Sequence, residues 1–121
     1  MSISNEALGK ILTEIQAKSD FSSQQIQVVK AQLQAKNREQ RMLQLTASEV
    51  GILPRETHVY EGVGKMFVLT PPQDVMDRLA TETKALDTDK ENLDKKLHYL
   101  ETTYKNSMDN LEKIMGSGRL G

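Results

Sequence analysis

The sequence predicts a mainly α-helical protein, an antiparallel two-helix coiled coil whose helices are joined by a single β-hairpin. Two long flanks almost free of glycine and proline, an apolar repeat in each flank and a β-rich segment between them support this prediction. All 3 prolines lie between residues 51 and 72, together with three of the 7 glycines. Because proline and glycine interrupt helices, this distribution predicts one single-domain chain, 1–121, with two helices about a central connector.

The N-terminal flank, predicted as a helix over residues 3–45, repeats apolar side chains in a heptad pattern. Its two position classes, offset by four residues, are Leu8, Ile15, Ser22, Val29, Lys36 and Leu43, and Leu12, Ser19, Ile26, Leu33 and Gln40. A 4-3 stripe sustained over about five heptads indicates a coiled coil with knobs-into-holes packing. Lys36 and Gln40 within the stripe are expected to loosen the coil and to discriminate against other pairings.

The C-terminal flank, predicted as a helix over residues 71–115, carries the same pattern. Its classes are Leu79, Leu86, Leu93, Leu100, Ser107 and Ile114, and Met76, Thr83, Lys90, Leu97, Tyr104 and Leu111. A capping box from Thr70 to Gln73 is expected to begin this helix, and Gly116 to end it, which leaves 116–121 as a flexible tail. Antiparallel pairing of the two flanks predicts, to within one heptad, that Ile26 meets Leu93 and Leu43 meets Met76.

The connector predicts a short helical turn over residues 46–53, with a capping box from Thr46 to Glu49, and then a β-hairpin over 57–69. The hairpin turn is expected at Gly62-Val63-Gly64, where glycine supplies the positive φ values. In the second strand, apolar side chains point to both faces, because successive residues of a strand alternate. One chain cannot bury both faces, so we expect hairpins of several chains to pair into a shared sheet or barrel. The alternative is a hairpin folded back on the helix ends.

Composition argues against several classes of protein. With 37% hydrophobic and 4% aromatic residues, the chain lacks the bulk for a compact enzyme core, and a net charge of −1 gives no overall attraction to nucleic acid or membrane surfaces. The 2 histidines have no second ligand at metal-site spacing, and no nucleophile–base arrangement is recognisable. We therefore expect no catalytic, cofactor or metal site, and a soluble cytoplasmic protein.

The order helix, hairpin, helix, with the string Val59-Tyr-Glu-Gly-Val-Gly-Lys-Met-Phe-Val-Leu69 in the hairpin, resembles a β-type prefoldin subunit. The resemblance implies a chaperone subunit of a heterohexamer of two α-type and four β-type subunits, whose hairpins form a double β-barrel. It further implies ATP-independent binding of unfolded proteins, notably actin and tubulin, at the coiled-coil tips. From there the clients would pass to the cytosolic group II chaperonin for folding.

The same resemblance assigns residues to two surfaces. Subunit assembly would use Val59, Tyr60, Val63, Met66, Phe67, Val68 and Leu69. The client-binding tip would contain Ile3, Leu8, Ile11, Leu111, Ile114 and Met115. A second class of function stays open from the residues alone, a structural coiled-coil adaptor or spacer that oligomerises through its hairpin.

Overall fold

The computed structural model describes residues 4–120, with side chains described from residue 4 to residue 116. The chain forms helix α1 (Asn5–Gly51), strands β1 (Val59–Val63) and β2 (Met66–Thr70), and helix α2 (Pro72–Leu120). Two long helices with one antiparallel hairpin between them confirm the predicted fold class. The chain divides into a hairpin unit, Gln34–Glu91, and a terminal unit, which holds the residues up to Leu33 and from Asn92 onward.

Helix α1 extends further than the sequence predicted. The Thr46 hydroxyl does not cap a new turn but donates to the Met42 carbonyl oxygen at 2.9 Å, four residues back within the same helix. The helix continues to Gly51, so the predicted end at residue 45 and the separate turn over 46–53 are wrong. At its start, the Ser4 hydroxyl oxygen accepts a hydrogen bond from the Ala7 amide at 3.2 Å, which is the N-cap arrangement.

Helix α2 also departs from its predicted ends. Thr70 is the last residue of β2, and its hydroxyl donates to the Val68 carbonyl at 3.1 Å instead of capping the helix. The Pro71 carbonyl accepts the first helical bonds, from the amides of Asp74 at 3.0 Å and Val75 at 3.2 Å. The helix runs through residue 116 to Leu120. Gly116 lacks the positive φ of a terminating glycine, because Gly64 alone has one among the described residues.

The hairpin pairs β1 and β2 antiparallel, with Val59 opposite Thr70 and Val63 opposite Met66. Its turn is therefore Gly64-Lys65, and not the predicted Gly62-Val63-Gly64. Gly64 has a φ of 62°, while Lys65 has no positive φ, which matches a type II′ turn with glycine in its first position. Gly62 lies within β1, where a Cβ atom would meet Phe67 Cε1 at 3.9 Å.

In the terminal unit, the seam is closed by a buried cluster of Ile26, Val29 and Leu100. The half-buried residues packed against it are Leu33, Leu93, Leu97 and Tyr104. The register, predicted to within one heptad, placed Leu93 opposite Ile26, and the structure brings Leu100 there instead, one heptad away. The shift follows from the length of α1, because six further helical residues before the hairpin move every opposing pair by about one heptad.

Candidate interaction surfaces

The seven hairpin residues assigned to subunit assembly lie together in the hairpin unit and expose apolar side chains. Phe67 is 78% exposed and Met66 67% exposed, although large apolar side chains are usually covered. Val59 is half-buried, and the other exposed members are Tyr60, Val63, Val68 and Leu69. The described chain therefore leaves an apolar surface on its hairpin that a partner can bury.

The two faces of the hairpin differ in their surroundings. One face carries Glu61, whose Oε1 lies 2.9 Å from Nη1 of Arg78 on α2. The other face carries Phe67 and Leu69, which are both exposed. The hairpin thus touches α2 through an ion pair, yet this contact covers no apolar residue of β2. A hairpin folded back to hide its own apolar side chains, the alternative considered from the sequence, does not describe this arrangement.

A second exposed apolar group, which was not predicted from the sequence, lies at the end of α1 in the same unit. Met42 and Leu45 stand on the face of α1 opposite the seam, and Ile52 and Leu53 follow the helix end. Ile52 is 82% exposed. The signal was present in the spacing of Met42 and Leu45, three residues apart and both outside the heptad stripe.

The seam of the hairpin unit contains a network of polar side chains. The Gln40 side-chain amide donates to Oδ1 of Asp87, and Oε1 of the same Gln40 accepts from Nζ of Lys90 at 2.8 Å. Lys36 Nζ lies 3.5 Å from Oδ2 of Asp89. The half-buried seam residues Lys36, Gln40 and Lys90 are therefore paired across the coil, whereas Asp87 and Asp89 are exposed. Each lysine charge is matched by a nearby carboxylate or amide oxygen.

The residues assigned to the client-binding tip fall in the terminal unit, except that Ile3 lies outside the described residues. Leu8, Ile11, Leu111 and Ile114 are half-buried, and Met115 is 49% exposed. Two of them meet: Leu111 and Met115 line one shallow groove together with Leu12, Thr13, Gln16, Ala17 and Asp20. The groove does not include Leu8, Ile11 or Ile114, so it unites only two of the assigned tip residues.

Other exposed large side chains of the terminal unit were not assigned a role from the sequence. Phe21 is 61% exposed, and Val28, seven residues further along α1, shares its face. Tyr99 and Met108 are exposed on α2. Because Phe21 and Val28 lie outside the heptad stripe, the heptad pattern did not predict a role for them.

The described side chains do not gather metal ligands into one site. Across residues 4–116, no group of three or more histidine, aspartate and glutamate residues is placed to hold a metal ion. Neither helix, over its described length, contains an apolar stretch long enough to cross a membrane.

Comparison with known proteins gives one consistent result. A family model described as "Prefoldin subunit" matches residues 13–118. The chain is 32% identical to prefoldin subunit 1 of Tetraodon nigroviridis over 95% of this chain and 94% of that protein. It is 32% identical to human prefoldin subunit 1 over 93% of this chain and 92% of that protein. It is also 34% identical to probable prefoldin subunit 1 of Schizosaccharomyces pombe over 88% of this chain and 96% of that protein.

A solved structure agrees at the level of the fold. The prefoldin beta subunit from Thermococcus strain KS-1 matches with a TM-score of 0.79 at 20% sequence identity, covering 84% of this chain and 90% of that chain. The family model covers most of the chain, and the relatives named above align over nearly their whole length. The chain therefore belongs to the prefoldin family, a family of co-chaperone subunits and not of enzymes.

Proposed function

We propose that the chain is a β-type subunit of a heterohexameric prefoldin with two α-type and four β-type subunits, acting in the cytoplasm. Its coiled-coil tip binds unfolded or nascent proteins, including actin and tubulin, and passes them to the cytosolic group II chaperonin without ATP. The observation that supports this proposal best is the single hairpin whose second strand is apolar and exposed on both faces.

The physical argument for assembly starts from the four residues of β2 before Thr70. Met66, Phe67, Val68 and Leu69 are all exposed. Burying a side chain of this size contributes about 1.5–3 kcal/mol, so pairing with further strands is strongly favourable. Strand edges that stay open also invite uncontrolled association. Hairpins of neighbouring subunits in a closed barrel satisfy both requirements.

The argument for client binding rests on the groove of the terminal unit. Leu12, Leu111 and Met115 give it an apolar lining, and it is shallow and open. Methionine adapts its side chain to irregular partners, which suits clients without a fixed shape. Several such weak sites carried on one assembly gain avidity from high effective concentration.

The assembly proposal is tested with the 2 phenylalanines of the chain, which are both exposed but lie in different units. Phe67→Asp places a charge in the proposed barrel and should abolish incorporation into a complex of six chains. Phe21→Asp is the matched control, because it makes the same substitution on the exposed face of α1. The measurement is native mass spectrometry of each variant mixed with the other prefoldin subunits, with circular dichroism to check helix content.

Two outcomes contradict the assembly proposal. If the Phe67→Asp variant is incorporated as well as the parent chain, the hairpin is not part of the subunit interface. A parent chain that forms only a homodimer in the presence of α-type subunits points instead to a structural adaptor.

The client proposal is tested on two methionines that lie one heptad apart on α2. Met115→Asp should reduce the suppression of aggregation of a chemically denatured actin by the assembled complex, because it places a charge in the groove. Met108→Asp is the control, since Met108 is exposed but is not part of the groove. Equal suppression by the parent and the Met115→Asp complex would move the client surface away from this groove.

A further inference from the structure

We infer that the Gln40–Asp87–Lys90 network selects the register of the coiled coil against a slip by one heptad. In the observed register, the Gln40 side chain is bonded to both Asp87 and Lys90. A slip of seven residues moves one helix about 10.5 Å along the other and places a different set of side chains against Gln40. This inference does not depend on the proposed function.

The period of the apolar stripe does not distinguish the two registers. In the hairpin unit, the slipped register would bring Leu43 directly against Met76, while in the observed one Leu43, Thr83 and Met76 line the same groove. Both stripes repeat every seven residues, so seam positions of one helix meet seam positions of the other in either register. The apolar repeat by itself therefore does not specify the register.

The polar residues do distinguish them. After the slip, the positions of Asp87 and Lys90 against Gln40 would be taken by Ala80 and Thr83, seven residues earlier in α2. Alanine offers no side-chain acceptor, so the half-buried Gln40 would lose the exposed carboxylate of Asp87 as a partner. A hydrogen bond with a charged partner contributes more than a neutral one, which gives this loss its weight.

A neighbouring ion pair lacks this selectivity and provides an internal control. Lys36 lies beside Asp89 in the observed register, and Glu82 would take the place of Asp89 after the slip. Lys36 therefore finds a carboxylate in either register. Although it lies in the same seam, it contributes little to the choice.

The slipped register is accessible to this chain because the sequence permits α1 to end earlier. Unwinding the helix after Leu45 lengthens the connector, and Thr46-Ala-Ser-Glu49 then offers a capping box in place of the present bond from Thr46 to Met42. The opposite slip requires α1 to continue through Pro54, which lacks the amide hydrogen needed inside a helix. One competing register thus remains, and Gln40 disfavours it.

Engineered cysteine pairs test the register directly, because the natural chain has no cysteine. The pair Leu43→Cys with Thr83→Cys reports the observed register, and Leu43→Cys with Met76→Cys reports the slipped one. A disulfide requires Cα atoms within about 7 Å, so a shift of about 10.5 Å separates the two reporters. Each full-length pair is equilibrated in a glutathione buffer, and the cross-linked fraction is measured by mass spectrometry.

In the parent background, we expect cross-linking of the Thr83 reporter and little of the Met76 reporter. Adding Gln40→Leu with Lys90→Leu keeps the seam apolar and folded but should raise cross-linking of the Met76 reporter roughly tenfold or more. Lys36→Ala is the matched control, because it removes the ion pair in both registers and should leave the ratio of the two reporters unchanged. Circular dichroism confirms that each variant stays helical.

Three results would overturn the inference. The first is an unchanged reporter ratio in the Gln40→Leu, Lys90→Leu background. The second is an equal shift caused by Lys36→Ala, which would assign register to the seam charges in general. The third is preferential cross-linking of the Met76 reporter in the parent chain.

Discussion

The seams of the two units solve the same packing problem with different residues. The terminal unit closes its seam with Ile26, Val29 and Leu100, and adds buried serines at 19, 22 and 107. The hairpin unit also buries apolar side chains, namely Val75, Leu79 and Leu86, but interrupts its seam with Lys36, Gln40 and Lys90. The comparison separates two contributions to a coiled coil, since apolar layers supply stability and paired polar layers supply specificity.

The two kinds of polar layer are also unlike each other. Gln40 in the hairpin unit has partners for both its amide nitrogen and its amide oxygen. Ser19 in the terminal unit is only 1% exposed, and its hydroxyl has no hydrogen-bond partner. A small side chain lets the helices pack closely, yet a buried hydroxyl without a partner reduces stability. The serine layer therefore weakens the terminal unit, whereas the glutamine layer orders the hairpin unit.

The largest expected effect comes from exchanging seam residues one heptad apart. Val29→Lys buries an ammonium group at a position that is 0% exposed, and it should lower the free energy of unfolding by about 3 kcal/mol or more. Lys36→Val, the reciprocal change, should alter stability by less than about 1 kcal/mol, because it replaces a partly exposed ion pair by an apolar side chain. Amide hydrogen exchange measured by mass spectrometry reports the two units separately. Equal losses of stability in the Val29→Lys and Lys36→Val variants would show that the two seams do not differ in this way.

The sequence predicted the elements that depend on periodicity. Ile26, Val29 and Leu100 belong to the predicted heptad classes, and they are the residues that close the seam. A 4-3 repeat predicts this because it places the apolar side chains on one stripe of each helix. The hairpin was also predictable, since alternation along Met66–Leu69 follows from strand geometry. These inferences needed only the spacing of residues within one segment.

The errors arose where the choice depended on contacts between segments. Helix α1 was ended too early because Thr46 and Glu49 match a capping box, although the Thr46 hydroxyl bonds within the helix. The register then shifted by one heptad, since equally spaced apolar residues cannot distinguish two pairings. The turn was misplaced because Gly62 and Gly64 look alike in sequence, and only Gly64 takes a positive φ.

The candidate surfaces also include some features that the sequence predicted and others that it did not. Exposure of Phe67 and its neighbours was predictable, because a single hairpin cannot cover both its faces. The apolar group of Met42, Leu45 and Ile52 was not predicted, because Met42 and Leu45 lie outside the heptad stripe and Ile52 follows the helix. At the tip, Leu111 and Met115 share a groove with Leu12, which depends on the register and so was beyond the sequence.

A smaller effect is expected from the polar layer of the hairpin unit. Gln40→Ala removes the partners of Lys90 Nζ and of the Asp87 carboxylate, and it should cost about 1–2 kcal/mol in local stability. The cost stays moderate because the freed groups are partly exposed and regain water. Gln44→Ala, an exposed glutamine one turn further along α1, is the control and should change stability by less than about 0.5 kcal/mol. Faster exchange confined to the hairpin unit is the expected result, and equal rates for both variants would contradict it.

The smallest expected effect has the opposite sign and concerns the serine layer of the terminal unit. Ser19→Ala removes a buried hydroxyl that has no partner, and alanine is also the better helix former. Ser23→Ala, at an exposed position four residues later, gains only the helix preference of about 0.5 kcal/mol. Hydrogen exchange should therefore show that Ser19→Ala stabilises the terminal unit by ~0.5–1 kcal/mol more than Ser23→Ala does. A loss of protection in the Ser19→Ala variant would show that the hydroxyl is satisfied in solution, so that this layer, like that of Gln40, is held by hydrogen bonds.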